Sequence, residues 1–333
     1  MSSALNSTTS PLHVVFGNGP LGRATTHALL VTGARVRVVA TRPERPADLP
    51  PAVEYANADA TDPASATRAA DGASHVYNCT NARDYHRWPE QFPPLQRGVL
   101  AAARAAGAVL VVVENLYVYG PHLGVPMTEE LPLRAVGPRG GTRVAMTREL
   151  EAAHASGDVR VVRLRASDLI GPGVGESMAG HRLFEPILRG ETSLRLFADP
   201  DLPHSFTAAD DVGRALALAA VEPRAWGGVF HVPSAPAITP RALVALIAAE
   251  ADVSAPHVSA VPRAWLPMVL PVLGLFVPPL RGISESTHMF YEPFVVDTHR
   301  FDSTFDLAPT PLAASVRAAI AAYRRAPAAL GAV

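Results

Sequence analysis

Residues 12–22 read Leu-His-Val-Val-Phe-Gly-Asn-Gly-Pro-Leu-Gly, and no other stretch constrains the fold as tightly. The apolar run 12–16 predicts a buried parallel strand, and 21–31 predicts a helix. Between them lies Gly17-x-Gly19-x-x-Gly22. Gly17 permits a sharp turn, Gly19 lets a ligand approach the backbone, and Gly22 lets the helix pack close to the strand. The free N–H groups and partial positive charge of the helix N-terminus then face that ligand, as a pyrophosphate requires. A second strand at 35–40 completes the strand–turn–helix–strand context that makes the glycine pattern meaningful.

An NAD site of this kind carries an Asp or Glu near the end of the second strand, where it accepts from the ribose 2′-hydroxyl. This chain has Arg42 there, with Arg45 behind it. A guanidinium suits a 2′-phosphate, so the expectation is NADP(H) in preference to NAD(H). The competing reading makes Arg42 a solvated loop charge.

The rest of the chain continues the alternation. Strands are expected at 53–56, 75–79, 108–113 and 159–164, and helices at 63–70, 94–106 and 142–156. Six strands alternating with helices predict an α/β fold, a Rossmann-like doubly wound parallel sheet covered on both faces. Residues 11–172 form this dinucleotide-binding domain, after a polar tail at 1–10. Residues 173–330 are rich in proline and read mostly as a smaller C-terminal substrate cap, with some segments returning to the sheet. Helices are expected there at 210–220 and 240–251, with a last one ending at Arg325, and a short strand at 229–232.

Composition narrows the classes. The 333 residues are 48% hydrophobic and 18% charged, with a formal net charge of −1. No basic stripe suggests nucleic acid and no polybasic segment suggests a membrane surface. The apolar stretch 265–280 is interrupted by Pro267, Pro271, Pro278 and Pro279. It is shorter than the roughly 20 residues a span needs, and reads as a buried cap segment, a pocket wall or a subunit contact. The polar stretch 1–10 lacks the apolar core of a signal peptide, and the expectation is a cytoplasmic protein. Cys79 is the only cysteine, and His154, His181, His204 and His231 lack metal-ligand spacing, so no metal is expected.

At the sheet's ligand end, several side chains are candidates. Asp59 and Ala60 sit after the third strand, where a carboxylate can accept from an adenine amino group; Asp62 serves equally as a helix N-cap. Cys79 and Thr80 end the fourth strand. Tyr85 and Trp88, with His86 and Phe92, form an aromatic stretch that either walls a pocket or acts as a hydrophobic latch. Met289 and Tyr291 have the same two readings, pocket lining or core.

These pieces resemble the extended short-chain dehydrogenase/reductase family, which includes the NAD-dependent epimerases and dehydratases. The resemblance rests on Gly17-x-Gly19-x-x-Gly22, Asp59-x-x-Asp62, Val118-Tyr119-Gly120, the segment 165–173, and the segment from His204 through Asp211-Val212. It runs nearly end to end. It implies that Gly17, Asn18, Gly19, Pro20, Leu21 and Gly22 hold the cofactor phosphates, and that the Ala166-Ser167 backbone approaches the nicotinamide. Arg165 and Asp168 also read as a strand-end ion pair. The resemblance further implies a catalytic Ser/Thr and a Tyr-x-x-x-Lys pair on the helix after the fifth strand.

That pair is missing. Aligning the helix 142–151 by its neighbours puts Val144 in the Tyr place and Arg148 in the Lys place, which gives Arg148 a cofactor and oxyanion role. The alternative pairs Arg148 with Glu149 or Glu151 at the surface. Spacing from Gly120 puts Asn115 in the serine's place, where an amide can polarise a carbonyl. Tyr119, or Tyr117, remains as a proton donor, although the usual role of Tyr119 in Val-Tyr-Gly is structural. Tyr117 and His204 join the candidate substrate contacts.

The resulting expectation is an atypical NADP(H)-dependent oxidoreductase, moving a hydride to or from a small, largely apolar carbonyl, enone or alcohol. Its rivals are a sugar-nucleotide epimerase or dehydratase, and a non-catalytic NADP-binding regulator. The arginines available for a sugar-nucleotide diphosphate, Arg182, Arg189, Arg195 and Arg281, stand among apolar residues. A homodimer through the helices at 94–106 and 142–156 is what the resemblance suggests.

Overall fold

In the computed structural model, residues 10–122, 124–276 and 283–325 are described; most of the expected tail and the segment 277–282 lie outside them. The chain opens with β1 (Leu12–Phe16), α1 (Pro20–Val31) and β2 (Arg35–Ala40). It continues through β3 (Glu54–Asn57), α2 (Pro63–Ala69), β4 (Ala73–Asn78), α3 (Trp88–Ala106) and β5 (Val109–Asn115). Then follow α4 (Gly137–Ala155), β6 (Arg160–Ala166), β7 (Asp168–Ile170), α5 (His181–Leu188), β8 (Ser193–Leu196), β9 (Phe206–Ala208), α6 (Ala209–Ala220), β10 (Val229–His231), α7 (Pro240–Ala251) and β11 (His257–Ala260).

Seven strands form one sheet in the order β10-β6-β5-β4-β1-β2-β3. Every pairing in it is parallel. The order reverses at β1, so the crevice for a ligand opens at the C-terminal ends of β1 and β4. Alternation along the strands feeds two cores. Val15, Val38, Val111 and Leu164 pack with α1 and α6 on one face. Val14, Phe16, Val76 and Leu110 pack with α3 and α4 on the other. Two short parallel pairs, β7–β9 and β8–β11, stand outside the sheet with α5, α7 and the last helix, Leu312–Arg325, around a third core.

Two helices begin earlier than the sequence predicts. Helix α3 starts at Trp88 and contains Pro93 and Pro94. Packing of Trp88 and Phe92 beneath it compensates for the two missing donors. Helix α4 starts at Gly137, with Pro138 in its first turn, where a missing N–H costs least. The stretch 265–280 is helical from Leu266 to Phe276. Leu266 and Leu270 face inward, while Trp265, Met268 and Leu275 are exposed. Among the described residues no helix is long and apolar enough to cross a membrane.

Candidate functional site

The glycine turn has the geometry of a phosphate cradle. Gly17 has φ +105°, and a Cβ there would lie 2.5 Å from the Cys79 carbonyl oxygen. A Cβ on Gly22 would lie 2.0 Å from the Gly17 carbonyl oxygen, so the start of α1 is pressed onto the end of β1. Gly19 is different: a Cβ there meets nothing within 4 Å. Gly19 is the N-cap of α1, no side chain caps that helix, and Pro20 follows. The space in front of Gly19 therefore faces uncapped helix N–H groups, and a dinucleotide pyrophosphate fits it. Buried beside it, the Asn18 side-chain oxygen has no hydrogen-bond partner.

The end of β2 is electropositive. The backbone carbonyl of Arg42 is pinned by the Tyr55 hydroxyl (2.5 Å) and Asn57 Nδ2 (2.8 Å). Its side chain is exposed, lines a cleft of about 390 Å³, and has no ion-pair partner among the described residues. Arg45 is engaged elsewhere, donating to the carbonyls of Val53, Leu49 and Pro50. A second cavity of about 180 Å³ lies between α1 and the following loop, lined by Asn18, Arg23 and Asp48. Arg23 pairs with Asp48 there. Sequence reasoning missed this pair, because Asp48 is too far along the loop to be read as the acidic residue that ends β2.

Other cofactor candidates sit at the crevice with their polar groups already engaged. Asp59 Oδ1 accepts from both the backbone and the hydroxyl of Thr61, which shapes the loop. Asp62 caps α2 through the Ala64 N–H. Ala60 is buried, its carbonyl facing Gly98 of α3, where a Cβ would lie 1.9 Å away. Cys79 is buried with its thiol 3.5 Å from the Thr25 hydroxyl, and burial pushes its pKa up to about 12. The Thr80 hydroxyl donates to Asn78 (2.7 Å). Ser167 bonds Thr207 through both its N–H and its hydroxyl, which ties β6 to β9 beside Ala166.

On α4 the structure puts Arg148 at the surface, away from the sheet. Arg148 is exposed and makes no ion pair among the described residues, with neither Glu149 nor Glu151 as partner. The sheet-facing residues at the same i, i+4 spacing are Arg143 and Thr147, which are 8% and 1% exposed. Val144 is also buried, but against Leu116, Met127 and Phe294. The side of α4 that faces β5 therefore carries arginine and threonine. The Thr147 hydroxyl donates to Glu114 Oε1 (2.7 Å), and Arg165 Nε donates to Glu114 Oε2 (3.0 Å). Burial works to raise the Glu114 pKa, but Arg165, Arg163 and Arg143 outweigh it and hold the carboxyl ionised.

Tyr119 is also corrected as a proton donor. It is 2% exposed, and its hydroxyl lies between Arg165 Nη1 (2.8 Å) and His231 Nε2 (2.6 Å). Burial, partly offset by Arg165, raises its pKa to about 12. It links β6 to β10 and does not open onto the crevice. The expected Arg165–Asp168 pair is absent as well: Arg165 is bound to Glu114, and Asp168 Oδ2 accepts from His204 Nε2 at 2.7 Å. His204 is 3% exposed and stacks on Phe294 at 4.7 Å, a buried cap residue and not a substrate contact. Asn115 is half-buried at the end of β5, where it pairs with Ala166 across the sheet. Its side-chain oxygen accepts the Tyr117 N–H (3.3 Å).

The aromatic residues close on one another. Trp88 lies 5.0 Å from Phe92, 4.7 Å from Tyr85 and 5.1 Å from Tyr117. Tyr85 and Tyr117 remain half-buried. Arg139 sits over the Tyr85 ring at 4.2 Å, and Arg143 over Phe92 at 4.7 Å. Met289 and Tyr291 are core residues, and the Tyr291 hydroxyl donates to Val261. Among the described residues no group of three His, Cys, Asp or Glu side chains could hold a metal ion.

A seven-stranded parallel sheet with an open glycine cradle at its order reversal defines a Rossmann-type, dinucleotide-binding class of protein. The model of the NAD dependent epimerase/dehydratase family matches residues 14–232, and the chain belongs to that family, whose members are NAD-dependent enzymes. Solved structures agree in fold. UDP-glucose 4-epimerase from Thermotoga maritima superposes with a TM-score of 0.75 at 18% identity, over 94% of this chain and 99% of that one. UDP-N-acetylglucosamine 4-epimerase from Bacillus cereus gives 0.74 at 16%, over 96% and 98%. The dTDP-glucose 4,6-dehydratase DesIV from Streptomyces venezuelae, a double mutant with NAD bound, gives 0.74 at 18%, over 94% and 97%. No curated protein matches the chain in sequence.

Proposed function

We propose that this protein binds NADP(H) in the β1–α1 crevice and uses it in hydride transfer to or from a small, largely apolar carbonyl, enone or alcohol. The observation that carries the cofactor assignment is Arg42, an exposed guanidinium at the end of β2 with no carboxylate partner among the described residues. A free guanidinium at that strand end supports donation to a 2′-phosphate. The Gly19 cradle would hold the pyrophosphate, and Ala166 and Ser167 would border the nicotinamide. Bound there, the nicotinamide would supply a hydride at its C4 carbon. The Asn115 amide, at the end of β5, is the residue to polarise a substrate oxygen.

The proton does not travel by the family's Tyr–Lys route. Arg143 cannot act as a general acid near neutral pH, and Thr147 is bound to Glu114. The proton comes from solvent or from the substrate itself. The same replacement favours a second reading, a dinucleotide-binding protein without turnover. It also weighs against sugar-nucleotide epimerisation or dehydration, the activities named for the structural neighbours. Of the four arginines available to clamp a diphosphate, Arg189 is paired with Glu185 and Glu191 and Arg182 with Glu176, while Arg195 is exposed with no ion-pair partner among the described residues. Arg281 lies outside the described residues. A small-molecule partner and a cytoplasmic setting belong to the same proposal.

Fluorescence titration with NADPH and NADH tests the cofactor assignment. Binding of NADPH about tenfold or more tighter than NADH, with the preference lost in Arg42→Ala, is the expected result. Equal affinities, or a preference that survives the substitution, overturn it. A screen of carbonyl and enone compounds for NADPH consumption then separates turnover from binding alone.

A further inference from the structure

The α4 register leaves a buried cation without a counter-ion of its own. Arg143 is 8% exposed, and no carboxylate among the described residues lies within ion-pair distance. Its contacts are the Phe92 ring and, weakly, Met146 Sδ at 4.0 Å. The nearby carboxylate is Glu114, and both of its oxygens are taken, one by Arg165 and one by Thr147. Arg163, the other cation near Glu114, has Glu151 at 2.7 Å. Two carboxylates thus face three guanidiniums, and Arg143 is the one left over.

Holding a guanidinium mostly out of water with no anion against it is unfavourable, and cation–π contact with one ring offsets it only in part. Burial works against the charged form of Arg143, with Glu114 opposing. An anion brought against it would be held by two parallel hydrogen bonds in a low-dielectric setting. The neighbouring side chains are aromatic: half-buried Tyr85 and Tyr117, with ring centroids 6.3 Å apart, pack on the Trp88, Phe92 and Met146 cluster that Arg143 also touches.

We propose that Arg143 is the anchor for a substrate carboxylate, so that the molecule taken by this site is a small aromatic or apolar carboxylic acid whose ring packs on Tyr85 and Tyr117. This rests on the reading of the crevice as a substrate site and narrows its substrate class. The carboxylate completes the charge balance of the Glu114 cluster, and the guanidinium fork fixes the orientation of the acid relative to the end of β5.

The test compares trans-cinnamate with trans-cinnamamide, which share shape and differ in charge. Isothermal titration is run on the full chain, with and without NADPH. The expected result is cinnamate binding at least tenfold tighter than the amide. Arg143→Met removes the preference and Arg143→Lys keeps part of it, while thermal melting reports whether each variant is folded. Equal binding of acid and amide, binding of neither, or a preference that persists in a folded Arg143→Met overturns the proposal. If Arg143→Met does not fold, the wild-type comparison and Arg143→Lys decide. NADPH binding is read separately: its failure alongside an acid preference removes the cofactor reading and leaves the carboxylate site, and the reverse pattern does the opposite.

Discussion

The phosphate cradle makes a prediction in which stability and binding separate. Gly19→Ala adds a methyl group where nothing lies within 4 Å, at φ −77° and ψ −172°, an extended conformation that alanine adopts freely. Loss of glycine at the N-cap costs a few tenths of a kcal/mol to about 1 kcal/mol, and the lower chain entropy of alanine returns about 0.4–1 kcal/mol. The apo protein should therefore melt within about 2 °C of the parent. In the bound state the same methyl occupies the pyrophosphate's approach, at an overpacking cost of about 1–3 kcal/mol, or roughly 5–150-fold in NADPH affinity. Gly22→Ala is the contrasting control. Its Cβ would stand 2.0 Å from the Gly17 carbonyl oxygen and 2.8 Å from that carbonyl carbon, both backbone atoms. Relief requires parting α1 from β1, so this variant should lose about 3 kcal/mol or more before any ligand is added. Urea unfolding and NADPH fluorescence measure the two quantities. Gly19→Ala binding NADPH like the parent would refute the placement of the pyrophosphate, and marked apo destabilisation would refute the open cradle.

Three further outcomes test the buried polar chain and the titration of the core. Glu114→Gln removes the carboxylate shared by Arg165, Thr147 and the nearby Arg143, and should cost about 3–5 kcal/mol in urea unfolding; an unchanged midpoint would show that these charges are solvated. Tyr119→Phe leaves Arg165 and His231 without their shared hydroxyl and should cost about 1–3 kcal/mol, whereas full stability with abolished NADPH consumption would restore Tyr119 as the acid. His13 and His231 are both lowered to about 4, chiefly by burial, so the unfolded chain binds their protons first as pH falls. Their contribution is present above about pH 6.5, the ordinary histidine value, and is lost on acidification toward 4. Urea midpoints taken from pH 7.5 to 4.5 should fall through that window, and a rise would contradict their neutral burial.

The sequence by itself determined the local units. Strand β1, the glycine turn and α1 follow from an apolar run, three spaced glycines and a helix-forming segment, all within 20 residues of one another. The alternation of strands and helices, and with it the parallel sheet, followed from hydrophobic periodicity, which near-neighbour chemistry fixes. The side chains at the crevice were another matter. Along α4 a shift of one residue turns a side chain by about 100°, and this helix has charged or polar residues on every face, so pattern alone did not orient it. Only contact with β5 did so, by placing Glu114 where it receives Thr147 and attracts Arg143. Tyr119 lies in the segment after β5, and its hydroxyl is closed off by Arg165 of β6 and His231 of β10, residues 46 and 112 positions away. Charge burial of this kind depends on partners that meet only when distant strands align, which is why the tertiary structure, and not the local sequence, decided which polar residues face the site.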